Sequence, residues 1–217
     1  MDMKLFFDSA RKAFGSLKQG QVDGMSVILA ATAHLALHHR AYILATVWHE
    51  TDRAMQPIYE RGAKSYFNKY EPGTKIGKAL GNTINGDGYL FRGRGYVMIT
   101  GRSNYVKAGK ALGIDLVANP DRTLETAIAL QILVRGMIEG WFTGVKLPNT
   151  IGFRDSRRVV NGLDRADLIA GYADKFEEAL IAASTAVAQP EIAAPAPIPR
   201  PGPVGFWAWL ASLFRSA

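Results

Sequence analysis

Apolar residues at Leu5, Phe6, Ala10, Ala13 and Phe14 recur at three- and four-residue steps, which predicts a short amphipathic helix that Gly15 ends. The same period predicts a second helix over about 22–37 and a third over about 40–51, where Tyr42, Ile43, Val47 and Glu50 share a face. Pro57 blocks helical continuation, because it has no amide donor and clashes with the preceding turn. From 73 to 95 the pattern changes. Glycines at 73, 77, 81, 86, 88, 93 and 95 and the tetrapeptide Asn85-Gly86-Asp87-Gly88 predict loops, with a short strand or hairpin over about 89–100. Helical spacing resumes over about 103–112, 124–139, 157–161 and 164–188, so the chain is read as mainly α with a small strand and loop region.

The pattern breaks again near the end, where six of the ten prolines fall between Pro190 and Pro203. This divides the chain into a body over 1–189, a Pro/Ala-rich linker over 190–203 and an apolar aromatic segment over 204–217. The linker is expected to be an extended spacer of about 3.1 Å per residue. The apolar stretch Val204–Phe214 falls short of the ~20 residues that a membrane-spanning helix needs. Phe206, Trp207, Trp209 and Phe214 suit contact with a membrane interface or lipopolysaccharide; packing on the body or docking on a partner are the alternatives.

The 217 residues, 48% hydrophobic and 21% charged, exclude a disordered chain and a polytopic membrane protein. An excess of 26 Lys and Arg over 19 Asp and Glu gives a net charge of +7 and an affinity for anionic surfaces, without choosing among them. The absence of cysteine excludes disulfides, thiolate metal sites and a cysteine nucleophile, and suits an oxidising compartment. Met1 to Asp8 carries acid where a signal peptide is basic and lacks its apolar run, so no signal peptide is expected.

Candidate chemistry begins at Trp48-His49-Glu50-Thr51-Asp52. A carboxylate beside Trp48 and apolar turns is expected to be desolvated, which favours the protonated form that a general acid needs. A zinc-protease helix would need a second histidine where Arg53 stands. His34 and His38 are helically spaced, but no carboxylate accompanies them, so no metal is expected. Glu60 is the second carboxylate to consider. In one continuous helix it would stand ~15 Å from Glu50, but a turn at Pro57 permits the ~6.5–9.5 Å that an inverting glycosidase uses. For either glutamate alone, an exposed surface position is the competing reading.

In Gly86–Tyr105, Gly93 and Gly95 permit close backbone approach while Arg92, Arg94 and Arg102 supply donors, Arg94 being the candidate for ligand contact. A dinucleotide fingerprint fails at Met98, and an arginine-glycine nucleic-acid element is too short and too embedded, so no nucleic acid is expected as partner.

His49-Glu50-Thr51, the run Gly93-Arg-Gly-Tyr-Val-Met-Ile-Thr-Gly-Arg-Ser-Asn-Tyr105 and Val159-Val160-Asn161-Gly162, taken in this order, resemble glycoside hydrolase family 19, and within it bacteriophage endolysins. The resemblance covers about residues 3–188. It implies a two-lobed, lysozyme-like helical domain that cleaves β-1,4 bonds between N-acetylated amino sugars by inversion, without a cofactor. It implies Glu50 as general acid, Glu60 as general base and Thr100 as a residue that helps hold the water. It places His49, Asn104, Tyr105 and Asn161 on the sugar cleft, and Met98 stands where a glutamine is common. The same resemblance implies the expected partner, peptidoglycan glycan strands, and the expected role: a monomeric endolysin made in a host cytoplasm, acting in the periplasm after holin-type release and causing lysis. A chitinase of the same family and a non-catalytic wall- or membrane-binding module are the alternatives.

Overall fold

The computed structural model describes residues 1–188. Among the described residues ten α-helices occur in order: α1 Met3–Phe14, α2 Gln19–Ala31, α3 Leu37–Glu50, α4 Lys75–Ala79, α5 Asp87–Leu90, α6 Arg102–Leu112, α7 Thr126–Glu139, α8 Gly152–Ser156, α9 Arg158–Asn161 and α10 Ala166–Ala188. Two two-residue strands, β1 Ile58–Tyr59 and β2 Arg94–Gly95, pair antiparallel with Ile58 opposite Gly95 and Tyr59 opposite Arg94. Short 3₁₀ turns cover Lys64–Tyr70, Pro120–Leu124 and Leu147–Asn149. The linker 190–203 and the segment 204–217, with Phe206, Trp207, Trp209 and Phe214, lie outside the described residues. No helix among the described residues is long and apolar enough to cross a membrane.

The core is built around α3, in which Arg40 to Trp48 are all buried. A helix buried along most of its length must be enclosed by others; α10 supplies most of that enclosure, and α1 packs mainly against α10. The Phe14 ring lies 4.8 Å from Trp48 and 4.6 Å from Phe176, so α1 and α10 meet on the last turns of α3. Each fully buried large side chain here contributes ~1.5–3 kcal/mol relative to exposure. The Asp2 amide donates to the Ala183 carbonyl at 2.8 Å, tying the start of the chain to α10. The C-terminal end of α3, which carries Glu50, therefore projects from the most tightly enclosed part of the molecule.

The helices expected from periodicity are present, with two differences. The second ends at Ala31 rather than near Leu37, because the Thr32 hydroxyl donates to the Ile28 carbonyl at 2.7 Å and the chain turns before α3. In the expected strand region, Tyr89 and Leu90 are helical, and β2 pairs with β1, 36 residues upstream, instead of closing an ordinary hairpin; an Arg94–Ile99 bridge is the local remnant. The Asp87 carboxylate decides this locally. It accepts from the amides of Thr83 and Ile84 and pairs with Arg102, which winds the chain into α5.

Candidate active site

Glu50 is the last residue of α3, and Thr51 fixes the path of the chain beyond it. The buried Thr51 hydroxyl donates to the Val47 carbonyl at 2.7 Å and accepts from the Met55 amide at 3.0 Å. Between these anchors Asp52, Arg53 and Met55 hold φ of 49°, 65° and 55°. Left-handed backbone at non-glycine residues costs on the order of 1–3 kcal/mol each and persists only where neighbours enforce it. Here α2 enforces it. Gln21 donates to the Arg53 carbonyl at 2.8 Å, Gln56 donates to the Gly20 carbonyl at 2.6 Å, and α2 packs so closely that a Cβ on Gly24 would lie 1.7 Å from the Met55 carbonyl oxygen.

The Glu50 side chain is 17% exposed, and its Oε1 accepts from Arg157 Nη1 at 2.8 Å. Arg157 is itself buried and donates from Nε to the Asp164 carbonyl at 2.8 Å, so the guanidinium is fixed from two sides. The apolar surroundings expected for Glu50 are overridden: a cation holds one of its oxygens, and the Trp48 ring packs instead against Phe14 and Phe176. Oε2 has no protein partner among the described residues. His49, half-buried, is pulled below the ordinary imidazole range chiefly by burial, with Glu50 opposing and Arg157 reinforcing the shift, so it is neutral at pH 7.

Glu60 directly follows β1, and its environment differs. Its backbone amide donates to the Gly93 carbonyl at 2.7 Å, continuing the β1–β2 pairing by one step. Its Oε1 accepts from the Tyr70 hydroxyl at 2.9 Å and its Oε2 from the Gly93 amide at 3.0 Å. Both oxygens thus accept, the pattern of an ionised carboxylate. Burial, followed by the Glu60 charge, pushes Tyr70 above the ordinary phenol range, which keeps it a donor. A Cβ on Gly93 would lie 3.0 Å from Glu60 Oε2 and 3.2 Å from Thr100 Oγ1, so glycine is what lets Glu60 and Thr100 approach one point. Thr100 donates to the Met98 carbonyl at 2.8 Å, Met98 holding φ of 52°, and Asn104 donates to the Thr100 carbonyl at 2.7 Å. The two carboxylate-bearing segments are adjacent, because Asp52 and Arg61 form an exposed ion pair at 3.2 Å across the loop that joins them.

The structure thus brings together Glu60, Thr100 and Asn104, and places His49 beside Glu50. Asn161, exposed at the end of α9, stands four residues after the arginine that holds Glu50. Two expectations are corrected. Arg94 and Tyr105 are turned inward rather than presented on the surface, Arg94 reaching only the edge of a hollow. The Arg94 side chain is 2% exposed and donates to Asp121, to the carbonyls of Leu90 and Arg92 and to the Tyr105 hydroxyl. Tyr105 is fully buried and donates to the Arg92 carbonyl at 2.9 Å. Both side chains brace the 90–94 backbone. Sequence reasoning gave no role to Arg157 or Tyr70. No local spacing could reveal Arg157, which lies 107 positions from Glu50.

Among the described residues no cluster of His, Asp and Glu is arranged to hold a metal ion. Two concavities lie near the carboxylates without including either in their lining. One of about 670 Å³ borders Arg92 and Lys64, and one of about 640 Å³ borders Trp48, Asp52 and Arg61. Each concavity comes within two residues of a carboxylate: Arg92 stands next to the Gly93 whose amide holds Glu60, while Trp48 and Asp52 flank Glu50 in sequence and Arg61 follows Glu60.

No family model matches the chain. A segment of 38 residues, 18% of this chain, is 53% identical to chitinase 8 of Oryza sativa subsp. japonica, and spans 15% of that protein's length. Among solved structures, a chitinase C variant aligns over 85% of this chain and 92% of its own at 21% identity, with a TM-score of 0.56. Chitinase C from Streptomyces griseus HUT6037 aligns over 82% and 75% at 20% identity with a TM-score of 0.56, and a bacterial family 19 chitinase over 82% and 94% at 21% identity with a TM-score of 0.54. The chain has the mainly helical, lysozyme-like fold of the family 19 chitinases.

Proposed function

We propose that this chain hydrolyses the β-1,4-linked glycan strands of bacterial peptidoglycan with inversion, Glu50 delivering the proton and Glu60 activating the water. The observation that carries the reading is the contrast between the two carboxylates. Glu60 accepts two hydrogen bonds from Tyr70 and Gly93, while Glu50 is held through Oε1 by Arg157 and keeps Oε2 without a partner among the described residues. Cleaving an acetal needs a proton on the leaving oxygen and a nucleophilic water on the opposite face of the sugar, and a pair of carboxyl groups can supply both. Glu50 Oε2 carries the proton to the glycosidic oxygen. Glu60 draws a proton from the water, and the Thr100 hydroxyl orients that water. Arg157 and Tyr70 act as positioning residues.

A net charge of +7 favours an anionic wall polymer over neutral chitin. Chitin is the second reading, favoured by the names of the relatives that share the fold and the 38-residue segment. The sequence resemblance to phage endolysins supports a lytic role as a monomer on the wall from the periplasmic side, with Phe206, Trp207, Trp209 and Phe214 touching the membrane or lipopolysaccharide. Turbidity clearing and muropeptide mass spectrometry on purified peptidoglycan, with colloidal chitin in parallel, test the reading. Wild type clears peptidoglycan and Glu50→Gln does not. Clearing of chitin alone, or an unimpaired Glu50→Gln variant, refutes it.

A further inference from the structure

The hollow of about 670 Å³ beside Glu60 is lined by four cations, Lys64, Arg92, Arg94 and Arg122, and two carboxylates, Asp121 and Glu125. Both carboxylates are already paired, Asp121 with Arg94 at 2.8 Å and Glu125 with Arg122 at 3.0 Å. The uncompensated charge therefore rests on Lys64 and Arg92, neither of which has a carboxylate partner among the described residues. Arg92 is held in a fixed plane, its guanidinium 4.6 Å from the Tyr59 ring and 4.1 Å from the Tyr89 ring. One of its five N–H donors goes to the Tyr89 carbonyl at 2.9 Å, and the rest have no partner among the described residues. Its backbone carbonyl is pinned by both Arg94 and Tyr105. A guanidinium fork with its position set from three sides is preorganised for a bidentate carboxylate. It directly precedes Gly93, whose amide holds Glu60, so the hollow begins one residue from the backbone group that holds the carboxylate proposed to activate water.

We infer that this hollow is a subsite for a carboxylate carried on a substituent of the glycan, bound by Arg92 and Lys64. The inference rests on the proposed glycan hydrolysis and sharpens its substrate. Peptidoglycan carries such carboxylates on its peptide branches, and on its lactyl ethers where the peptide has been removed, and chitin carries none. The subsite explains why a fold shared with chitinases here has an arginine clamped between two tyrosines facing an otherwise charge-balanced pocket.

The test measures binding in a Glu50→Gln background, which removes turnover, on intact peptidoglycan, on peptidoglycan stripped of its peptides by an amidase, and on chitin. Adding Arg92→Gln and Lys64→Gln weakens retention about tenfold on the carboxylate-bearing polymers and less than twofold on chitin. Arg92→Lys, which keeps the charge without the fork, falls between. Loss confined to intact peptidoglycan assigns the carboxylate to the peptide, loss confined to the stripped polymer assigns it to the lactyl group that the amidase frees, and loss on both shows that either carboxylate is accepted. The pair Lys78→Gln and Lys110→Gln removes the same charge from exposed positions that do not line the hollow, and leaves binding within twofold. Equal weakening on chitin, an equal effect of the control pair, or no change on any polymer overturns the subsite. Failure of the wild type to release reducing ends from peptidoglycan refutes the proposed hydrolysis instead, a separate outcome read in a separate assay.

Discussion

Replacing Arg157 by glutamine tests the architecture of the site at its least exposed point. The side chain is 2% exposed, and it donates to Glu50 Oε1 and to the Asp164 carbonyl, each at 2.8 Å. The shorter amide reaches neither partner. Each hydrogen bond to a charged group contributes ~1.5–3 kcal/mol, and the carbonyl of the exposed Asp164 can turn to water instead. Glu50 keeps some access to water, which reduces the cost of leaving it alone, so the sum is placed at ~3 kcal/mol rather than at the upper end for a broken buried pair. For a domain of this size that corresponds to a fall in Tm of roughly 6–12 °C. Urea unfolding of wild type, Arg157→Gln, Glu50→Gln and the double variant completes a cycle in which the pair couples by ~1–2 kcal/mol. Activity of Arg157→Gln falls roughly 10- to 100-fold, because Glu50 loses its fixed orientation. A loss of stability below about 0.5 kcal/mol, or additive single and double variants, refutes the assignment of Arg157 as the residue that holds Glu50.

At the second carboxylate, Gly93→Ala puts a methyl 3.0 Å from Glu60 Oε2 and 3.2 Å from Thr100 Oγ1, tighter than ordinary contact. It lowers kcat/KM roughly tenfold while changing Tm little; unaltered kinetics refutes the close approach. Tyr70→Phe removes one of two donors to Glu60 and lowers kcat/KM by about tenfold, with a stability loss of about 1 kcal/mol or less; wild-type kinetics in this variant removes Tyr70 from the positioning of Glu60. His49, whose folded form favours the neutral imidazole through burial, contributes stability that is present above pH 6.5 and is lost as the pH falls below it. His49→Gln therefore flattens the decline of Tm between about pH 6.5 and 5, and an unchanged slope contradicts that origin.

The helices were legible because burial on one face imposes a period that a single sequence displays: α1 stops at Gly15, α6 ends at Gly113 and α7 at Gly140, each glycine with positive φ. What the sequence hid was set by partners far away in the chain. The β2 strand was legible as extended, but its pairing with Ile58–Tyr59 was not, since no turn joins the two. Glu50 and Glu60 could be named, while Arg157 and Tyr70, which give the two carboxylates their different surroundings, could not, because each acts through a fold-dependent contact. Arg94 and Tyr105 show the converse limit. Their residue types suit a sugar surface, yet packing turned both inward to brace the backbone that carries Arg92 and Gly93.

If Glu50 and Glu60 work from opposite faces of one sugar, the stereochemistry of the product is fixed. Time-resolved proton NMR of wild-type digestion of soluble peptidoglycan fragments, with Glu50→Gln as the control, reads it directly. The proposed mechanism requires the new reducing ends to appear first as the α-anomer, with none above background in the control. First appearance of the β-anomer, or equal product from Glu50→Gln, contradicts it.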